Sequence, residues 1–384
     1  MQSMDALRSS GLRKEGTVLN VLYLINYAGK AGTEKYVENL VRILGKDRIN
    51  PFFAYNIDGE LSEKMRAANV PTLQLDMSKG AVLFSAPKRL AEFCCENKID
   101  VIHAQYPREN LIALRSKKYY AVPRVVMTSH LTLRLSGLSG MVWKQLNKKY
   151  SPQDHCIISV CREGRDILIE NGVLPERIKV IYNGIEPAPL PQPTDVLKKE
   201  LGLPDDCFVF FIMARFAPEK GLSFLVDSLA ELKKKTNKPF CCAIAGDGEL
   251  TEEIKAQIAA LGLENECRLL GYRTDTKQLL TGADAYLCSS QCNEAMSFAI
   301  LEAMNAGLPL VVTDVGGNRD LAETDIKCGF VVNYGDTAEF SEKMKFLMQD
   351  AVQCAALAEA ANEKVAQYFD LEKLAGDVFA AYNE

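Results

Sequence analysis

Two glutamates, Glu294 and Glu302, interrupt the apolar run NEAMSFAILEAMNAGLPLVV at residues 293–312. A carboxylate is an acceptor-only group, a natural partner for paired hydroxyl donors such as those of a sugar or a ribose. On one straight helix, eight residues would set the two carboxylates about 80° apart, as solvated charges on an ordinary core helix. The same half of the chain carries Arg215 and Lys220 in ARFAPEKG, followed by Gly221. Two cations converging on one strand end suit a diphosphate, whose oxygens need several nearby donors. The glycine-rich GGNRD at 316–320 adds backbone amides that can meet an anion at a helix start. With Glu294 in the loop and Ala295 to Phe298 forming the first helical turn, the two carboxylates need not share a face. Glu294 then points into a crevice where sugar hydroxyls bind, the free amides of the turn face phosphate, and Glu302 reaches ribose hydroxyls.

The surrounding elements must hold these residues at strand ends. Apolar, β-branched runs recur as TVLNVLYLI, PFFAYN, DVIHAQ, RVVMTSH, HCIISV and IKVIYNG, with amphipathic segments such as TEKYVENLVRIL between them. After the proline-dense NGIEPAPLPQPTD the pattern restarts with CFVFFIMA, PFCCAIAG, CRLLG, DAYLCSS and PLVVTD. Apolar strands alternating with helices predict parallel sheets covered on both faces. The reading is α/β: two doubly wound, Rossmann-like domains facing each other across a cleft. The expected division is a loose tail at 1–16, a first domain at 17–186, a linker at 187–204, a second domain at 205–365 and a final helix at 366–384. Ligands of such sheets bind at the carboxyl ends of strands.

Bulk composition excludes several classes. A chain of 384 residues suits two cores, and 48% hydrophobic with 25% charged residues is ordinary for a soluble globular protein. The net charge of −5 does not point to nucleic acid. No apolar run approaches the roughly 20 residues of a membrane helix, and the N-terminus lacks a signal-peptide core. Twelve cysteines with only three histidines, no CxxC pair and a lone Cys288-x-x-x-Cys292 read as buried small hydrophobes in a reducing compartment, which predicts a cytoplasmic protein with no metal site. AGDGEL is not a dinucleotide fingerprint, and no GxxxxGK[ST] loop occurs.

The ordered set ARFAPEKG, AGDGEL, LGYRTD, EAMSFAILE and AMNAGLPLVVTDVGG resembles the retaining glycosyltransferases of family four, which have the GT-B fold. The likeness runs over roughly residues 17 to 365 and is densest from 208 to 320. In the first half, GKAGTEKYV resembles the family's glycine-rich loop, with Ala31 in place of its first glycine and Gly32 as its second. DVIHAQYP resembles its D-x-x-H-x-H strand end with Gln105 in the last place, and TSH puts His130 where a histidine touches the donor sugar. The resemblance implies that Arg215 and Lys220 bind the donor diphosphate, Glu294 the sugar hydroxyls and Glu302 the ribose. It further implies that the amides of Met296, Ser297 and Phe298 contact phosphate and sugar, that Tyr272 or Arg273 lies near the base, and that Gly32 and Gly246 belong to the donor site. His130, Arg215, Lys220 and Glu294 are its catalytic set, while His103 and His155 read as structural.

The implied reaction breaks an activated sugar from a UDP or GDP carrier and keeps its anomeric configuration. Fixed cations stabilise the departing phosphate without a cofactor or a metal, and no metal-binding D-x-D motif occurs at a strand end. The acceptor is a glycan or a lipid-linked glycan of cell-surface polysaccharide or glycolipid synthesis. The alternatives are a GT-B epimerase or phosphorylase, or a protein that binds nucleotide sugars without turning them over. Charge adds an expectation independent of any family. Residues 110–153 hold no Asp or Glu but eight cations: Arg115, Lys117, Lys118, Arg124, Arg134, Lys144, Lys148 and Lys149. Basic residues beside Met141, Val142 and Trp143 suit peripheral docking on an anionic membrane, each cation contributing ~1 kcal/mol. The competing reading is a basic face that answers the acidic second domain.

Overall fold

The structure, a computed structural model, describes residues 18–45, 47–78, 80–121, 124–153 and 155–384. The expected tail at 1–16 lies outside the described residues. By the density of its contacts the chain divides into two units, residues 1–127 with 381–384, and residues 128–380.

Among the described residues, thirteen strands form two sheets. The first sheet contains β1 (Leu19–Tyr27), β2 (Ile49–Ile57), β3 (Thr72–Gln74), β4 (Val101–Ala104), β5 (Arg124–Ser129), β6 (Cys156–Ser159) and β7 (Ile178–Val180). Its order is β3-β2-β1-β4-β5-β6-β7, and the described pairs are parallel. The second contains β8 (Phe208–Met213), β9 (Phe240–Ala245), β10 (Cys267–Gly271), β11 (Ala285–Cys288), β12 (Leu310–Thr313) and β13 (Gly329–Val332). It runs β10-β9-β8-β11-β12-β13, again all parallel.

The apolar runs became strands because both faces of each sheet are covered. β9, β11 and β12 are buried along their whole lengths. Successive side chains of a strand point to opposite faces, and the two cores follow that alternation. Val209, Phe211, Ala243, Tyr286, Leu310 and Val312 pack on one side of the second sheet. Phe210, Ile212, Cys242, Ala285, Leu287 and Val311 pack on the other. Phe210 and Phe211 are both fully buried, and each contributes about 1.5–3 kcal/mol by leaving water.

In both sheets the strand order reverses beside the first strand of its set, between β1 and β4 and between β8 and β11. Such a switch point opens a crevice at the carboxyl ends of the two flanking strands. In the second sheet those ends lead into the Arg215–Lys220 segment and the Ser289–Glu294 segment. The cysteines behave as read from the sequence: none is disulfide-bonded, and all are buried except the exposed Cys95 and Cys292 and the half-buried Cys354.

Candidate active site

At the β8–β11 switch point one residue of each sequence-derived pair meets the other, Lys220 with Glu294. β8 ends at Met213, and Arg215 follows in the connecting loop. Lys220 closes a short 3₁₀ turn, Pro218–Lys220, and the next helix starts at Leu222. Across the crevice Glu294 follows β11. The Lys220 Nζ donates to Glu294 Oε2 at 2.6 Å, and the Ser290 hydroxyl donates to the same oxygen at 2.8 Å. Glu294 is only 8% exposed. Burial disfavours the Lys220 charge, but the facing Glu294 carboxylate outweighs it and holds the ammonium above its ordinary range. Both bonds fall on Oε2, so Oε1 has no hydrogen-bond partner among the described residues. Arg215 is mostly exposed and paired with Glu219 on its own loop.

The loop bearing Glu294 is held by its surroundings. Asn293 sits in the left-handed region at φ 58°, which Asn tolerates better than most residues. Thr313 donates to the Ser290 carbonyl at 2.6 Å, and Ser289 donates to the Lys220 carbonyl at 2.9 Å. Gly316 crosses so close that a β-carbon there would meet the Glu294 carbonyl oxygen at 1.4 Å, and its φ of +58° adds to the demand for glycine. Gly317 N then donates to that carbonyl at 3.2 Å.

The expected helix start is corrected here. The helix spans Phe298–Asn305 with Ser297 as its N-cap residue, so Ala295 and Met296 precede it. The cause is tertiary. Asn183 Nδ2 donates to the Met296 carbonyl at 3.1 Å, and Asn183 N donates to Met296 Sδ at 3.2 Å, holding the segment in an irregular turn. Of the three expected amides, only that of Phe298 belongs to the helix itself. Glu302 is half-buried inside the helix, so the two glutamates do occupy different kinds of backbone.

Gly246 follows β9 at φ +131°, and a β-carbon there would meet the Ala214 carbonyl oxygen at 1.9 Å. Its glycine thus lets the β9 end approach the backbone that carries Arg215. Tyr272, after β10, is exposed, whereas Arg273 is clamped by Asp275 (2.8 and 2.6 Å) and Glu200 (3.2 Å). Those two carboxylates, Asp275 first, hold its charge firmly. Arg273 is therefore engaged by protein partners, and Tyr272 is the more accessible of the two.

The remaining residues lie on the first sheet. Gly32 opens the helix Gly32–Leu44 after β1, in the first unit. His130 follows β5 and is half-buried, and desolvation pushes its imidazole down to about 3, so it is neutral at working pH. His103 is fully buried, its Nδ1 2.7 Å from the Tyr382 hydroxyl and its ring beside Tyr23 and Tyr36, a structural role. His155 stands at the amino end of β6, the end opposite to ligand crevices. Among the described residues no group of three or more His, Cys, Asp or Glu could hold a metal ion, and no helix is long and apolar enough to cross a membrane.

Sequence reasoning missed Ser290 and Asn183, which fix Glu294 and Met296. The signal for Asn183 lay in VIYNGIE, where a lone asparagine precedes glycine at a strand end. For Ser290 nothing in SSQCNE singles out one of two serines.

Comparison with known proteins agrees with this arrangement. The family described as "Glycosyltransferase Family 4" matches residues 31–188, and that described as "Glycosyl transferases group 1" matches residues 193–364. A UDP-Gal:alpha-D-GlcNAc-diphosphoundecaprenol alpha-1,3-galactosyltransferase of Escherichia coli is 28% identical over 82% of each chain. The lipopolysaccharide core biosynthesis glycosyltransferase LpsE of Rhizobium meliloti is 24% identical over 91% of this chain and 95% of its own. The crystal structure of Anabaena HepE in complex with UDP superposes with a TM-score of 0.81 at 23% identity, covering 94% of this chain and 98% of that one. The sheets, the switch-point crevice and the two family matches converge, and this chain is a GT-B glycosyltransferase that belongs to family four.

Proposed function

We propose that the protein moves a hexose from a UDP-sugar to a glycan carried on a lipid diphosphate, with retention of configuration and without a metal. The observation that carries this reading is the Lys220–Glu294 pair at the β8–β11 switch point, 2.6 Å apart and largely buried. Lys220 and the nearby Arg215 face the position where negative charge builds as the diphosphate departs, and fixed cations there lower the barrier directly. Glu294 is held through Oε2, which leaves Oε1 to accept from the donor sugar's hydroxyls. Its carboxylate is engaged by Lys220 and Ser290, which suits a sugar binder better than a nucleophile. Neutral His130 can accept or donate one hydrogen bond without bringing charge to the sugar. The UDP-bound HepE structure supports UDP over GDP, and the Escherichia coli relative supports a lipid-diphosphate acceptor. The proposed place of action is the cytoplasm, at the inner face of the cell membrane.

The test is a thermal-shift panel with UDP, GDP and UDP-hexoses, followed by transfer assays with EDTA and by NMR of the product's anomeric proton. A saturating donor at 100 times its dissociation constant stabilises by about 2.7 kcal/mol. Glu302→Gln should weaken UDP and UDP-sugar alike, whereas Glu294→Gln should weaken chiefly the UDP-sugar. An inverted product, loss of transfer in EDTA, or a requirement for free phosphate would each overturn the corresponding part of the reading.

A further inference from the structure

Residues 131–149 of the second unit form a surface that the transfer chemistry does not use. The helix Gly137–Tyr150 buries only Gly140, while Leu138, Met141 and Val142 stand 79, 56 and 60% exposed. Leu131 and Leu133, just ahead of it, are 40 and 52% exposed. At about 100° per residue, Leu138, Met141, Val142 and Lys149 fall on one face of the helix, with Lys148 at its margin. Trp143 falls on the opposite face and is half-buried, so the tryptophan expected on this surface does not belong to it.

This exposure is built in. Asn171 is 6% exposed and staples both arms of the segment: its Oδ1 accepts from Leu135 N (3.0 Å), its Nδ2 donates to the Leu133 carbonyl (2.8 Å), and its carbonyl accepts from Asn147 Nδ2 (2.9 Å). The opposite face of the helix is thereby fixed, and the leucine, methionine and valine have nowhere to turn.

The basic stretch read from the sequence separates into engaged and available cations. Arg115 donates to the Leu83 carbonyl and Arg124 to that of Asn383, both in the first unit. Arg134 pairs with Glu163 and Glu170. Among the described residues, no carboxylate pairs with Lys144, Lys148 or Lys149; Lys149 lies over the Tyr150 ring at 5.4 Å.

We infer that this face docks on an anionic lipid bilayer, Leu138, Met141 and Val142 entering the headgroup–acyl boundary while Lys148 and Lys149 bind lipid phosphates. Fixed exposed apolar side chains continued by unpaired lysines fit such an interface, because apolar burial and attraction to anionic lipids add.

The experiment is vesicle flotation of the full chain with phosphatidylcholine alone or mixed with phosphatidylglycerol. Wild type should float with the mixed vesicles at low salt, stay behind with phosphatidylcholine alone, and be released as salt shortens the Debye length from about 10 Å at 0.1 M to about 3 Å at 1 M. Lys144→Glu/Lys148→Glu/Lys149→Glu and Leu138→Ser/Met141→Ser/Val142→Ser should each lose at least about tenfold in partitioning. Lys148→Glu/Lys149→Glu, altering two exposed side chains, stands in if a triple variant misfolds. Wild type that never floats, either triple variant floating as well as wild type, or a dimer in solution that the serine variant dissolves would overturn the docking surface. The UDP thermal shift is measured on the same proteins. Its persistence without flotation removes the docking surface alone, and its absence with flotation removes the donor assignment alone.

Discussion

Lys220 and Glu294 each make the other's charge tolerable in a crevice that excludes most of the surrounding water. Removing one partner strands the other, so Lys220→Ala should cost up to about 3 kcal/mol of stability as well as transfer activity. Adding Glu294→Gln should return the stability but not the activity, which thermal denaturation and a transfer assay separate. Arg215→Ala behaves differently, because that side chain is mostly exposed. Its stability should stay within about 0.5 kcal/mol of wild type, while transfer falls by roughly 10²–10³-fold if it faces developing phosphate charge. His130 makes a pH prediction. Its folded pKa of about 3 lies below the unfolded value of 6.5. Between those values the unfolded chain binds the extra proton, so its contribution to stability falls as pH drops through that window. From pH 7 to 5 this amounts to at most about 2 kcal/mol. His130→Asn should flatten that part of a stability-against-pH curve, and an unchanged slope would show the imidazole to be solvated.

Turns and strand ends, more than the helices, place the chemistry. Gly316→Ala pushes a methyl group into the Glu294 carbonyl at a positive φ, and it should cost about 3–5 kcal/mol and abolish UDP-sugar binding. A melting curve near wild type would show that the loop can yield. The same turns mark where sequence stopped being informative. Strands buried on both faces read plainly as apolar runs, which is why β8, β9, β11 and β12 were legible, together with the clusters at their ends. β3 and β13 were not, because they are short edge strands without a distinctive run. The start of the Phe298 helix was misread because Asn183, more than a hundred residues earlier, and Gly316, beyond the next strand, decide it. Propensity within EAMSFAILE favours helix from Ala295, and two long-range contacts overrule it.

At the scale of the whole chain, residues 1–127 and the distant 381–384 share the first unit. Tyr382 is fully buried, and its hydroxyl meets His103 Nδ1 at 2.7 Å and Tyr23 Oη at 3.4 Å. Tyr382→Phe should lower stability by about 1–3 kcal/mol through an unsatisfied buried imidazole, without altering UDP affinity. A matching loss of UDP affinity would link that core to the donor site. The sharing also sets an order in time during biosynthesis. Residues 1–127 leave the ribosome early, yet the segment that completes their core, 381–384, is translated only after all of residues 128–380. At roughly 5–20 residues per second, the nascent first unit waits on the order of 10–50 s for its closing tyrosine. A chain stalled before residue 381 exposes that unfinished core to chaperones and proteases, so Tyr382 works as a late seal on the first unit.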